Sequence, residues 1–380
     1  NLMPLLQVDS KMKKVKVFLN LSAIILGSVL CFSCQSDDYS DVASSNEEVK
    51  PSDKTLVELP SGATVARIGE QYTWQEDILL TEQQLELLAS TGSPFEPMAE
   101  PQNESLELPA AFGGGKKEST TRSCAVYPNA NLWAMVRFVY APSGYDLETQ
   151  LAPSTKATIQ AALRHWETTT NVRFYNATGQ PTHDDTYNFD YPYIYFCNGS
   201  GNNSYVGRIG GKQVLHLALF QPMGVAAHEI GHAIGLYHEQ CRHDRDNYVT
   251  VNYSNIQSDA TGNFDKVTQN YYNMGGFDFS SIMLYSSYDF AIDSSIPTMT
   301  KKDGTTFTAQ RSGLSDGDRR FPNTFYLPYI ARSDTYAELD TVMYDGNNNR
   351  LTQAQILQIQ AQLNNGNPTP PANGRIENNF

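Results

Sequence analysis

The sequence predicts an α+β fold, and three observations carry that prediction. Positions 133–140 alternate apolar and polar residues and read as a strand, and 172–175 and 191–196 read as two more, Pro192 marking the last as an edge strand or as a strand start. Between the first two, positions 153–168 put Ile159, Ala162, Leu163 and Trp166 on one face of a helix. A second helix is required by chemistry. In His228-Glu229-Ile230-Gly231-His232 the two imidazoles sit one turn apart and project from the same side only if the segment is helical.

The chain has 380 residues, room for one or two domains with a full hydrophobic core. Its 40% hydrophobic and 18% charged residues are ordinary for a globular protein. A net charge of −14 argues against a nucleic-acid partner, because phosphate binding needs clustered Lys and Arg.

Near the amino terminus, Met12-Lys13-Lys14-Val15-Lys16 is a basic stretch, and positions 17–30 are mostly apolar but too short for a membrane span. Met12 is the candidate start. Ser33-Cys34 then precedes a polar run, which resembles a bacterial lipoprotein signal with Cys34 as the lipidated residue. The expectation is export, with membrane contact only through this anchor, as a surface lipoprotein or a secreted protein. Positions 35–60 read as a polar tether.

Chemistry concentrates at positions 228–239. His228 and His232 can reach one ion, and Glu229 lies between them in sequence, placed to take a proton from a water activated there. Gly235 can end the helix in a left-handed turn and swing His238 back as a third nitrogen ligand. Three neutral imidazoles leave one position of a tetrahedral zinc open, the arrangement of a catalytic site.

The continuation Glu239-Gln240-Cys241-Arg242-His243-Asp244-Arg245-Asp246-Asn247-Tyr248-Val249 resembles the signature of the astacin family of zinc metalloendopeptidases, in the metzincin clan. Cys241 is a departure inside it. The resemblance spans about residues 123–330. It implies a metzincin protease fold: an N-terminal twisted, mostly parallel sheet with two long helices, a zinc cleft and an irregular C-terminal subdomain. It implies one catalytic Zn2+, protein or peptide substrates, and Glu229 as general base. Ser281-Ile282-Met283-Leu284-Tyr285 is similar to the family's Met-turn. Met283 would then floor the metal site, and Tyr285 would stabilise the oxyanion. Leu284 stands where the family has His. An edge strand above the cleft would pair with substrate; positions 193–196 and the strand after Gly207 are the two candidates.

Upstream, Trp74-Gln75-Glu76-Asp77-Ile78 resembles the family's inhibitory prosegment motif F-x-G-D-I, with Trp74 for Phe and Glu76 for Gly. Asp77 would be the ligand that displaces the catalytic water. Thr81 and Gln84 form a capping box for a following helix through Leu88. Positions 92–122 read as a linker ending in Lys116-Lys117-Glu118-Ser119-Thr120-Thr121-Arg122, so maturation is expected at or near Arg122; the resemblance implies that the new amino terminus then contacts Glu239.

Cys124, Cys197 and Cys241 allow at most one disulfide, with three pairings open. The bridge usual in the family has no cysteines at its places. An unpaired Cys124 is a rival latency ligand to Asp77. His165 reads as an ordinary surface histidine. The organisation expected is 1–34 upstream residues and signal, 35–122 tether and prosegment, 123–330 catalytic domain, and 331–380 an extension. That extension holds one helix opened by a Thr352–Gln355 capping box, too small to fold alone. The rival functional class is a non-catalytic, zinc-containing surface binding lipoprotein; oligomeric state is left open.

Overall fold

The computed structural model describes residues 54–94, 123–126, 132–269, 271–330 and 338–363. The signal, Cys34 and Arg122 lie outside them. Strands β1 (Thr55–Glu58), β2 (Thr64–Ile68), β3 (Gln71–Trp74) and β4 (Ile78–Leu80) precede helix α1 (Glu82–Thr91). Next come β5 (Ser123–Val126), β6 (Val136–Tyr140), α2 (Pro153–Thr169) and β7 (Phe174–Asn176). A small hairpin, β8 (His183–Asp184) and β9 (Phe189–Asp190), leads to β10 (Tyr193–Asn198), β11 (Asn203–Ser204) and β12 (Lys212–Leu217). Helix α3 (Met223–Ala233) carries the two-histidine motif. Beyond it lie β13 (Val249–Val251), β14 (Tyr271–Met274), β15 (Met299–Lys301), α4 (Asp316–Phe325) and α5 (Gln353–Leu363).

Among the described residues, one sheet runs in the order β1-β2-β3-β4-β11-β12-β10-β6-β7. β12, β10, β6 and β7 are parallel, and β11 is antiparallel to β12. The α+β, mostly parallel architecture expected of the catalytic region is therefore present. The predicted apolar face of α2 is buried, and the Trp166 indole donates to the Ala227 carbonyl of α3 at 3.1 Å. That contact seats the second helix against the first.

Neither candidate for the substrate-pairing strand lies at the edge. β10 is flanked by β12 and β6, and β12 by β11 and β10. Ile194 and Phe196 are fully buried, as an interior strand requires. Of the two meanings Pro192 allows, the strand start holds and the edge does not: it precedes the first residue of β10 and removes no ladder hydrogen bond. The outermost strand of this half is β11, and β4 covers it in parallel, with Ile78 opposite Ser204. Through this pairing the meander β1–β4 continues the sheet.

The Thr81–Gln84 capping box is present, with bonds of 3.2 and 2.9 Å, and α1 runs past Leu88 until Gly92 ends it at φ +79°. At the other end of the chain, Leu339, Met343, Ile356 and Ile359 form a small apolar cluster. The segment is tied to the main body by a buried Arg173–Asp340 ion pair at 2.9 Å. Asn171 bonds both Asn323 and Tyr344. The Thr352–Gln355 capping box opens α5 as expected.

Candidate active site

Helix α3 is short, apolar and buried along its whole second half, so its polar residues must be satisfied locally. The His228 Nδ1–H donates to the Ile282 carbonyl at 2.8 Å, and the His232 Nδ1–H to the Leu236 carbonyl at 2.8 Å. These bonds orient both rings and leave each Nε2 as the lone-pair nitrogen. Gly235 at φ +113° reverses the chain after the helix and returns His238 beside them. The ring centroids of the three histidines lie 4.7–5.3 Å apart.

Asp77 completes the cluster from the meander. Its Oδ2 lies 3.3 Å from the His228 Nε2, and its Oδ1 lies 3.5 and 3.3 Å from the Nε2 atoms of His232 and His238. The four ligand atoms all fall within 4.8 Å of one another, and all four residues are buried. The His232 Nε2 and Asp77 Oδ1 have no hydrogen-bond partner within the protein. Buried polar atoms of this kind, converging on one point from three imidazoles and a carboxylate, fit a single divalent ion of the zinc type.

Burial depresses the His228 pKa to about 3 and lowers that of His238, so both are neutral and free to ligate at neutral pH. Burial opposes ionisation of Asp77, but the imidazoles around it hold its carboxyl well below the usual range. For Glu229, burial first and then the Asp77 and Glu76 charges push the pKa well up, with Arg311 opposing. Its Oε2 is buried without a partner.

The Met283 thioether lies against helix α3 at Gly231. A Cβ built on Gly231 would come within 2.8 Å of its sulfur. The middle glycine of the two-histidine motif is thus the space into which the thioether packs. The Tyr285 ring lies 4.9 Å from that of His238, and its hydroxyl donates towards the Gln75 carbonyl at 3.2 Å and the Glu76 carboxylate at 3.1 Å. Burial, with Asp77 and the Tyr285 hydrogen bond acting in opposite senses, brings the Glu76 pKa up to about 7. Leu284 is buried in a neighbouring apolar cluster.

Glu239 accepts from the Asp278 amide at 2.7 Å and lies 3.6 Å from Arg242. Burial pushes its pKa to about 8 against the Arg242 charge. Strand β5 runs close by, with the Cys124 carbonyl accepting from the Tyr237 amide at 3.0 Å. The three described cysteines are buried and free, so no disulfide forms among them. Cys124 sits in β5, outside the metal-ligand cluster, and burial raises its pKa. Cys241 donates to the Asn263 carbonyl at 3.3 Å in the core, an apolar-site role for the departure in the signature. His165 accepts from the Leu314 amide at 3.0 Å, so it is a packing residue.

Sequence reasoning missed the braces on the helix end. The Trp133 indole donates to the Ala233 carbonyl at 2.8 Å and the Tyr326 hydroxyl to the Ile234 carbonyl at 2.8 Å. Two terminal carbonyls of α3 are satisfied this way without water. Asp318 was also missed: it accepts from the Ile282 amide and the Ser281 hydroxyl, holding the turn that carries Met283. An acid at the N3 position of the Ser315 capping box was the only signal for it.

The sequence model of the family Astacin (Peptidase family M12A) matches residues 129–327, more than half of the chain. The chain belongs to the astacin family. Flavastacin of Elizabethkingia meningoseptica is 32% identical over 311 residues, covering 80% of this chain and 63% of that protein. Zinc metalloproteinase nas-38 of Caenorhabditis elegans is 33% identical over 192 residues, covering 49% of this chain and 25% of the relative. The match thus spans less than two thirds of these relatives' own length. Among solved structures, High choriolytic enzyme 1, a hatching enzyme zinc-protease from Oryzias latipes, aligns with a TM-score of 0.41 at 29% identity. That alignment covers 52% of this chain and 92% of the other. Astacins are zinc enzymes, and the buried histidine–aspartate cluster can hold one such ion.

Proposed function

We propose that this chain is an exported zinc-dependent endopeptidase made as a latent zymogen, with residues 123–330 as the catalytic domain and residues 35–122 as tether and prosegment. The observation that carries the reading is the convergence of Asp77 on the three imidazoles beside Glu229. In this reading His228, His232 and His238 hold the metal, and Asp77 takes the place a substrate water would need. Zinc supplies Lewis acidity towards the scissile carbonyl and lowers the pKa of a water at the site.

The remaining steps belong to side chains of the chain. Glu229 accepts the proton of the attacking water and returns it to the departing amine nitrogen. Its buried, partnerless oxygen suits a base that must not be hydrogen-bonded to the protein. Tyr285, once released from Gln75 and Glu76, donates to the oxyanion. Met283 and Gly231 hold the histidine helix at a fixed distance from the Met-turn. Departure of β4 exposes β11 as an edge along which an extended peptide can pair. In the processed form, the amino terminus near residue 123 adds its positive charge to that of Arg242 beside the buried Glu239 carboxylate. Cys34 carries the lipid anchor, and residues 331–380 form an extension.

The test compares hydrolysis of a denatured protein by the full chain before and after cleavage behind Arg122, with and without a zinc chelator. Chelator-sensitive cleavage by the processed form, silent in the precursor, is expected. Glu229→Ala should keep its zinc and lose at least about a hundredfold in turnover, the usual scale for a general base. Zinc binding without hydrolysis in any form would replace this reading with the binding lipoprotein.

A further inference from the structure

Building on the peptidase reading above, we propose that the Gln75–Glu76 turn is a second inhibitory element, separate from Asp77, which takes the Tyr285 hydroxyl out of service. A phenol has a single O–H donor. Here two acceptors compete for it, the Gln75 carbonyl at 3.2 Å and a Glu76 carboxylate oxygen at 3.1 Å. None is left for an oxyanion. Asp77 meanwhile contacts the three imidazoles and makes no contact with Tyr285 among its hydrogen bonds and ion pairs. The two contacts therefore disable different parts of the machinery.

The turn is built for this contact. Gln75 and Glu76 both sit in the left-handed region, at φ +50° and +75°, where non-glycine residues are rare and strained. At the second position the prosegment motif has glycine, which would adopt the conformation freely. This chain instead carries a glutamate there, and its carboxylate is the group that reaches the phenol. Gln75 is pinned from its other end, its side-chain amide donating to the Asp265 carbonyl at 2.9 Å. Strand β4, immediately following, is held on β11. The Tyr285 ring is fixed by the rings of His238, Phe264 and Phe290, with centroids 4.9, 6.0 and 5.4 Å away. Phenol and turn are thus each fixed independently and meet at hydrogen-bond distance.

The experiment is a double-mutant cycle in the full chain, read by hydrogen exchange of the amides of residues 71–80. Glu76→Ala should speed exchange about tenfold, the scale of one lost intramolecular hydrogen bond. Tyr285→Phe, which removes the donor to both acceptors, should speed it at least as much. The double variant should exchange no faster than Tyr285→Phe alone, because the carboxylate has then lost its partner already. Additive effects, or no effect of Glu76→Ala, would overturn the proposal. Glu76→Gln, which keeps an acceptor, should fall between the parent and Glu76→Ala. Hydrolysis gives the second readout: Asp77→Ala alone should stay below the processed enzyme, and adding Glu76→Ala should bring it nearer. An Asp77→Ala precursor as active as the processed form would refute a second element. Absence of hydrolysis from every form would sink the peptidase reading, while the exchange cycle would still decide the contact.

Discussion

Replacing Gly231 with Ala sets two effects of known size against each other. Alanine in place of glycine inside a helix gains about 1 kcal/mol. The new Cβ, however, would stand 2.8 Å from the Met283 sulfur and 3.5 Å from its methyl carbon. Ordinary contact is about 3.5–4.0 Å, so the thioether must withdraw by about 1 Å. Met283 has little freedom to do so, since it is 2% exposed, its amide donates to the Ser281 hydroxyl and its carbonyl accepts from Glu239. Overpacking of this kind costs about 1–3 kcal/mol. The difference leaves a net loss of about 1 kcal/mol, or about 2–4 °C in Tm for a domain of this size. The displacement should also reach the histidines, because the Ile282 carbonyl beside Met283 orients His228. Loss of such support lowers metal affinity about tenfold or more. Thermal melts of the apo and zinc forms, with zinc titration against a chelating dye, measure both. A Gly231→Ala protein that melts higher than the parent with unchanged zinc affinity would show that helix propensity dominates and that the thioether contact has no role.

Two other predictions follow from contacts away from the metal cluster. Asp340→Ala leaves Arg173 buried without its carboxylate and should cost about 3–5 kcal/mol in urea unfolding. An unchanged midpoint would mean that the extension is not anchored there. His165 is an acceptor only while neutral, and burial, reinforced by Arg319, lowers its pKa from the ordinary 6.5. A depressed folded value makes its contribution full above pH 6.5 and lost as pH falls below it. His165→Phe should therefore flatten part of the stability loss as pH falls below 6.5, at a cost of about 1 kcal/mol at neutral pH. A parallel pH profile would refute the assignment.

By itself the sequence determined the meeting of the three histidines and the local elements. The spacing of His228, His232, Gly235 and His238 admits few geometries, because one helical turn and one left-handed reversal bring three nitrogens together. The capping boxes at Thr81 and Thr352 and the apolar face of α2 were legible for the same reason: each is set by neighbours within one or two turns. What needed the tertiary structure was pairing between distant segments. Which strand lies at the sheet edge depends on partners, and the two-residue β11 carries too little pattern to reveal itself. The Trp133, Tyr326 and Asp318 contacts join residues separated by about a hundred, ninety and thirty-six positions, so no periodicity announces them. The Glu76–Tyr285 bond spans 209 positions. In the sequence Glu76 was only a departure from a motif. Folding places it against the phenol, because a sheet extended from β4 to β11 delivers the turn to the cleft.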